Sequence, residues 1–207
     1  MLRAVVVAII TVLLAGVPAS AARLSILAFG DSLTAGYGLP PGKGFPEKLE
    51  QALKQSGHDV RVINAGVSGD TSAAGLERLD WVLTDKVDGA IVELGANDAL
   101  RGIDPARTRS ALSEILAKLR SRNIPVLLAG MRAPRNLGPD YVERFDALYP
   151  ELARQPGVIY YPFFLEGVAA DPGLNQPDGM HPTAEGVDVI VRRMLPKIEQ
   201  LIASAEK

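Results

Sequence analysis

Five short apolar runs recur along the chain: Leu24–Phe29, Val60–Asn64, Gly89–Leu94, Pro125–Gly130 and Val158–Tyr161. They are rich in Val, Ile, Leu or aromatic residues and show no strict alternation of apolar and polar positions. That pattern predicts strands covered on both faces, as in a parallel sheet. The stretches between them change to a helical period. Phe45–Ser56 reads as a helix that closes on Gly57, a residue suited to the left-handed turn past a helix end. Asp104-Pro105 reads as an N-cap followed by Pro at the first helical position. The helix behind it carries Leu112, Ile115, Leu116 and Leu119 on one stripe. The last segment repeats Val187, Ile190, Val191, Met194, Leu195 and Ile198, with a kink predicted at Pro196. Strand and helix alternate without internal repeats, which predicts an α/β fold of three layers around a mainly parallel sheet.

The N-terminus does not fit this rhythm. Residues 1–22, "MLRAVVVAIITVLLAGVPASAA", give one Arg, an apolar run and then small residues. This is the order of a secretory signal peptide, with Ala19-Ser20-Ala21 as the cleavage motif and Ser20-Ala21-Ala22 as a close competitor. The alternative is an uncleaved anchor, but the run is short against the about 20 residues a bilayer span needs, and Pro18 interrupts it. The expected organisation is a signal peptide over 1–21 and a single domain over 22–207, placing the mature chain in the periplasm or outside the cell without stable membrane insertion.

Composition narrows the function classes. Of the 207 residues 47% are hydrophobic and 22% charged, enough for an ordinary core. The net charge is −2 and no basic patch stands out, which argues against nucleic acid as a partner. With no cysteine, a disulfide framework, a Cys zinc site and a Cys nucleophile are all excluded. There are two histidines. A metal-dependent phosphoesterase would need an all-carboxylate site, and no such cluster stands out.

Ligands of parallel α/β sheets bind beyond the carboxyl ends of the strands, and four such segments are polar. Strand one ends in Gly30-Asp31-Ser32. Strand two ends in "NAGVSGDTS" with Gly69, strand three in "ELGANDALRG" with Asn97, and "QPDGMHPTAEG" before the last helix holds Asp178 and His181. Together they supply what acyl transfer requires. A serine hydroxyl needs a base to take its proton, and imidazole suits that task near neutrality. His58 lies in a turn far from any strand exit and reads as solvated, which leaves His181. Asp178, three residues earlier, can fold back on one ring nitrogen and leave the other for Ser32. The Ser32 amide, the Gly69 amide and the Asn97 carboxamide can face the oxyanion. Taken singly, each of these residues also has a structural reading: Asp31 as a turn cap, Gly69 as loop punctuation, Asn97-Asp98 and Asp178-Gly179 as turn pairs. Their conjunction at one sheet edge favours chemistry. The G-x-S-x-G pattern of another serine hydrolase class is absent, and "PPGKG" lacks the residues of a phosphate loop.

The blocks "FGDSLTAGYG", "VSGDTS", "LGAND" and "DGMHP", in this order, resemble those of the GDSL esterases, or SGNH hydrolases. They are most similar to the secreted bacterial branch called thioesterase I, lysophospholipase L1 or arylesterase. The resemblance covers nearly all of the chain after the leader. It implies a flavodoxin-like sheet of five parallel strands, no metal and no organic cofactor. It also implies Ser32 as nucleophile, Asp178 and His181 as triad acid and base, and Gly69 and Asn97 with Ser32 as the oxyanion hole. The expected partner is a small acyl or aryl ester or an acyl thioester, lysophospholipids included, and a monomer is expected. A carbohydrate O-deacetylase using the same residues, or a non-catalytic binding module, are the alternatives.

Leu33, Tyr37 and Leu39 after Ser32, and Leu100 and Ile103 after Asn97, are expected to flank an acyl groove. Of these, Leu33, Leu100 and Ile103 are the candidate substrate contacts, and Ala99–Asp104 is expected to move over the bound chain. Met131, Phe163 and Phe164 read as core. "MRAPRNLGPDY" reads as a loop that can form a pocket wall, with Arg132 and Arg135 either meeting a phosphate head group or forming a solvated face. Glu93, inside strand three, needs a hydrogen-bond partner if buried and receives no catalytic role.

Overall fold

The structure is a computed structural model that describes residues 23–83 and 86–206. The expected signal peptide therefore lies outside the described residues. Five strands form one sheet: β1 (Leu24–Gly30), β2 (Val60–Gly66), β3 (Gly89–Glu93), β4 (Val126–Ala129) and β5 (Val158–Tyr161). Their order is β2-β1-β3-β4-β5 and every pairing is parallel. The sequence order reverses between β1 and β3. In doubly wound sheets this reversal opens a crevice at the carboxyl edge, where ligands bind.

Among the described residues seven α-helices accompany the sheet: α1 (Ser32–Ala35), α2 (Phe45–Gln55), α3 (Ser72–Val82), α4 (Ala96–Leu100), α5 (Pro105–Ser121), α6 (Pro139–Leu152) and α7 (Ala184–Ala205). α2 packs against α7, while α5 packs against α3 and α6, giving the two outer layers. The helix ends follow the chemistry in the sequence. Asp104 caps α5 by accepting the Ala106 N–H at 3.1 Å, with Pro105 in the first turn. The α5 stripe of Leu112, Ile115, Leu116 and Leu119 is buried. Pro196 lies inside α7, and the helix continues to Ala205.

β1, β3 and β4 are buried along almost their whole length, as continuous apolar runs require. Phe29, Phe45, Phe145, Phe164 and Tyr149 are the largest fully buried side chains. Each contributes about 1.5–3 kcal/mol by leaving water. Among the described residues no helix is long and apolar enough to cross a membrane.

Candidate active site

The β1 exit sets the position of Ser32. Asp31 is fully buried, and its Oδ1 accepts the Leu33 N–H at 3.0 Å, capping α1. This turn starts a helix at Ser32 and leaves the hydroxyl on the carboxyl edge of the sheet. Gly30 is required by space. A Cβ there would lie 2.1 Å from Thr34 Oγ1 and 2.6 Å from Glu93 Oε2.

The loop after β2 bends at Gly69, whose φ of +87° is strained for other residues. Arg78, on α3, holds this loop against β1. It donates to Asp70 Oδ2 at 2.5 Å and to the Gly30 carbonyl at 3.0 Å, and its guanidinium stacks 4.4 Å from the Phe29 ring. After β3 the chain opens α4, where Asn97 Nδ2 donates to Asp31 Oδ2 and to the Asp70 carbonyl, both at 3.0 Å. Asp98, buried beside it, accepts from Ser72 N, Ser72 Oγ and Thr108 Oγ1, which ties α4 to the starts of α3 and α5. Arg101 donates to the Gly69 carbonyl at 2.8 Å and so links the third exit to the second.

The loop before α7 is closed on itself. Gln176 N donates to the His181 carbonyl at 2.7 Å and Thr183 N to the Leu174 carbonyl at 2.9 Å. Gln176 Nε2 also reaches the carbonyls of Pro182 and Tyr37, at 3.0 and 2.8 Å. It passes so near Gly38 that a Cβ there would lie 2.2 Å from Gln176 Oε1. Within this loop Asp178 Oδ1 accepts the N–H groups of Met180 and His181, at 2.9 and 3.0 Å. Asp178 Oδ2 lies 2.7 Å from His181 Nδ1, and His181 Nε2 lies 2.9 Å from Ser32 Oγ. The Tyr37 ring rests against the imidazole with centroids 4.6 Å apart. The peptide N–H groups of His181 and Met180, and then the imidazole, hold the Asp178 carboxyl down at about 2.

These residues meet at a cavity of about 700 Å³. Ser32, Gly69, Asn97 and His181 stand at one side. Leu33, Tyr37, Leu100, Met131, Phe163 and Leu165 supply much of the apolar wall, and Arg132 and Arg135 lie on it as well. The structure thus brings Ser32, Gly69, Asn97, His181 and, through His181, Asp178 to one place, with Leu33 and Leu100 beside them. Ile103 is not on the cavity. The chain turns away at Gly102 (φ +61°), and the Ile103 carbonyl accepts the Tyr141 phenol at 2.8 Å. Leu39 is likewise off the lining. Phe163, read as core, is half-buried on the cavity wall beneath Arg132, whereas Phe164 is fully buried. Met131 is both buried and part of the wall. The end of "MRAPRNLGPDY" is the start of α6 rather than loop. His58 follows α2 near the amino end of β2, away from the strand exits. Among the described residues no group of three or more His, Cys, Asp or Glu could hold a metal ion.

The model of the GDSL-like lipase/acylhydrolase family matches residues 28–189, from β1 into α7. The chain belongs to the GDSL-like lipase/acylhydrolase family. Esterase TesA of Pseudomonas aeruginosa is 39% identical over 183 residues, covering 88% of this chain and 91% of TesA. The Escherichia coli K12 protein named thioesterase 1/protease 1/lysophospholipase L1 is 38% identical over 184 residues, 88% of this chain and 87% of that one. The crystal structure of AlinE4, an SGNH-hydrolase family esterase, superposes with a TM-score of 0.74 at 54% identity, covering 86% of this chain and 96% of AlinE4. This GDSL-family chain is accordingly a hydrolase with the flavodoxin-like α/β fold.

Two side chains of this GDSL site carry no mark in the sequence. Arg78 and Gln176 both act on backbone carbonyls of distant segments, and a carbonyl gives no residue-type signal.

Proposed function

We propose that the protein is an exported serine esterase that hydrolyses acyl and aryl esters and acyl thioesters, lysophospholipids among them. One observation carries this reading: the unbroken contact series from Asp178 through His181 to Ser32, at 2.7 and 2.9 Å, beside an apolar cavity. With Nδ1 facing a carboxylate, the ring proton belongs on Nδ1 and the Nε2 lone pair faces the hydroxyl. Ser32 Oγ attacks the acyl carbon and its proton passes to Nε2. The carbonyl π pair moves onto oxygen, and Asp178 steadies the imidazolium. The N–H groups of Ser32 and Gly69 and the Asn97 carboxamide receive the oxyanion. Both Asn97 hydrogens are engaged at rest, so the oxyanion takes one over. The neutral Asp70 carbonyl is the weaker of the two acceptors to displace. Collapse expels the alcohol or thiol, which takes the proton from Nε2. Water then repeats the sequence and frees the acid.

The apolar wall supports an acyl chain over an acetylated sugar as the group bound. A graded series of p-nitrophenyl esters, acyl-CoAs, a lysophospholipid and an acetylated oligosaccharide should be turned over with a preference for medium or long acyl groups. Preference for the sugar would remove that part of the reading. A fluorophosphonate probe should label the wild type, and Ser32→Ala should not label and should lose about 10⁴-fold or more in kcat. Equal labelling of the two proteins would end the case for Ser32. Export rests on residues 1–21 acting as a cleaved leader ahead of one hydrolase domain. Recovery of protein that still begins at Met1 outside the cytoplasm would count against it.

A further inference from the structure

Behind Ser32 two carboxyl groups are buried together, and the reaction above uses neither directly. Asp31, at the β1 exit, and Glu93, the last residue of β3, are both fully buried. Among the described residues neither forms an ion pair. Asp31 is well supplied with donors: Leu33 N–H at Oδ1 and Asn97 Nδ2 at Oδ2. Glu93 is not. Its Oε2 accepts from Thr34 Oγ1 at 2.8 Å and, at a long 3.4 Å, from the Asp31 N–H. Its Oε1 is buried with no hydrogen-bond donor in reach.

Two adjacent anions in a dry site, one of them with a bare oxygen, are too costly to persist. A single proton on Glu93 removes the conflict. The protonated carboxyl offers an O–H where a bare oxygen lacked a donor, and the Asp31 carboxylate, whose side chain interacts with that of Glu93, has lone pairs to accept it. We propose that Glu93 is a positioning residue, a neutral carboxylic acid that donates its proton to Asp31 and so keeps one negative charge where Asp31 holds the Asn97 carboxamide. The proton is shared, not transferred, and the charge of the pair stays at minus one. This role rests on the esterase reading, because it acts through the oxyanion side of the site.

The neighbours agree with this assignment. Burial raises both carboxyls, and the charge of Asp31 raises Glu93 further, well above the usual carboxylate range. The other titratable or charged groups near the pair do not compensate it. Tyr149, on α6, spends its phenol on the Leu94 carbonyl at 2.9 Å, and burial raises its pKa too. Asp98, on α4, is taken up by its own three donors. Arg78, on α3, turns to Asp70 and the Gly30 carbonyl. His181 acts on Asp31 only at a distance, as a weak lowering influence. The pair also explains the glycine that opens Gly-Asp-Ser. The space a side chain at position 30 would need is filled by Thr34 Oγ1 and the Glu93 carboxyl.

The test compares Glu93→Gln, which keeps the shape and an N–H donor but cannot ionise, with Glu93→Leu, which keeps only bulk. The full chain is assayed on a p-nitrophenyl ester at neutral pH. Glu93→Gln should exceed Glu93→Leu by about tenfold or more in kcat with similar KM, a part of the 10²–10³ that an oxyanion donor is worth. In an Asn97→Ala background the two should differ by less than about twofold, since the effect runs through Asn97. Infrared difference spectra of wild type against Glu93→Gln should show the carbonyl stretch of a protonated carboxylic acid at neutral pH. That measurement remains decisive if Glu93→Leu does not fold. Absence of the band, or a Glu93→Gln protein as slow as Glu93→Leu, overturns the proposal while fluorophosphonate labelling of the wild type leaves the esterase reading standing. A wild type that does not label overturns both.

Discussion

Asp178 owes its low pKa first to peptide N–H groups, those of His181 and Met180, and only then to the imidazole. Its charge is therefore built into the loop rather than borrowed from the imidazole. The native pKa, about 2, lies below the unfolded value of about 3.9. The stabilising contribution is thus complete above about pH 4 and disappears as the pH falls toward 2. A loss of activity between neutrality and pH 4 therefore does not come from protonation of Asp178. Asp178→Asn separates the two duties of the side chain. Its carbonyl oxygen still accepts both peptide N–H groups, so the melting temperature at pH 7 should hold within a few degrees. It no longer stabilises the imidazolium, and kcat should drop by about 10²–10⁴-fold. Unfolding midpoints at pH 3 and pH 6, read beside kcat, check this. A large fall in stability at pH 7 would mean that the charge, not the acceptor oxygen, holds the loop.

At the scale of elements, the exits are joined by side chains that reach backbone. α3 supplies Arg78, which fastens the Gly69–Asp70 loop to the end of β1. Arg78→Met keeps the stem against Phe29 but leaves Asp70, itself mostly buried, without its cation. We expect a loss of about 2–3 kcal/mol in urea unfolding and a lower kcat, because the Asp70 carbonyl also seats Asn97. Unchanged stability would mean that the pair is solvated and the loop is held elsewhere. β1, β3 and β4 were legible because buried parallel strands are continuous apolar runs, whereas the outer strands β2 and β5 are only partly buried and were marked by their Val, Ile and Tyr content. The Ser32, Asp178 and His181 cluster was legible because Asp178 and His181 share one short loop and only one other histidine competes. Ile103 was placed by its nearness to Leu100 in the chain, but the turn at Gly102 carries it off to Tyr141. In Phe163-Phe164 composition alone does not tell which ring faces the cavity. Arg78 and Gln176 stayed hidden because the contacts by which they join distant segments are to the Gly30 and Tyr37 carbonyls, which give no residue-type signal.

For the whole molecule, the consequence is that the two halves of the site hang on different supports. Ser32 and His181 are 149 positions apart and meet across 2.9 Å. Ser32 opens α1 directly past the end of β1, an interior strand of the sheet. His181 rides on a loop whose last residue, Thr183, caps α7 by accepting the Gly186 N–H. Gln176 fastens that loop directly to the β1 side, through the Tyr37 carbonyl. Stability and alignment should therefore be separable by substitution. Ile198 is fully buried in the second half of α7, well along the helix from its cap. Ile198→Ala should cost about 2–4 kcal/mol as a core cavity yet leave kcat unchanged where the protein is still folded. Gln176→Ala removes two side-chain hydrogen bonds to carbonyls in a partly exposed place. It should cost only about 1–2 kcal/mol but lower kcat by about tenfold or more, since an ångström of slack between His181 and Ser32 is expensive in rate on the esterase reading. Urea unfolding and steady-state rates on the same two proteins decide it. If the more destabilised variant is also the slower one, the site is held by global packing rather than by the Gln176 tie.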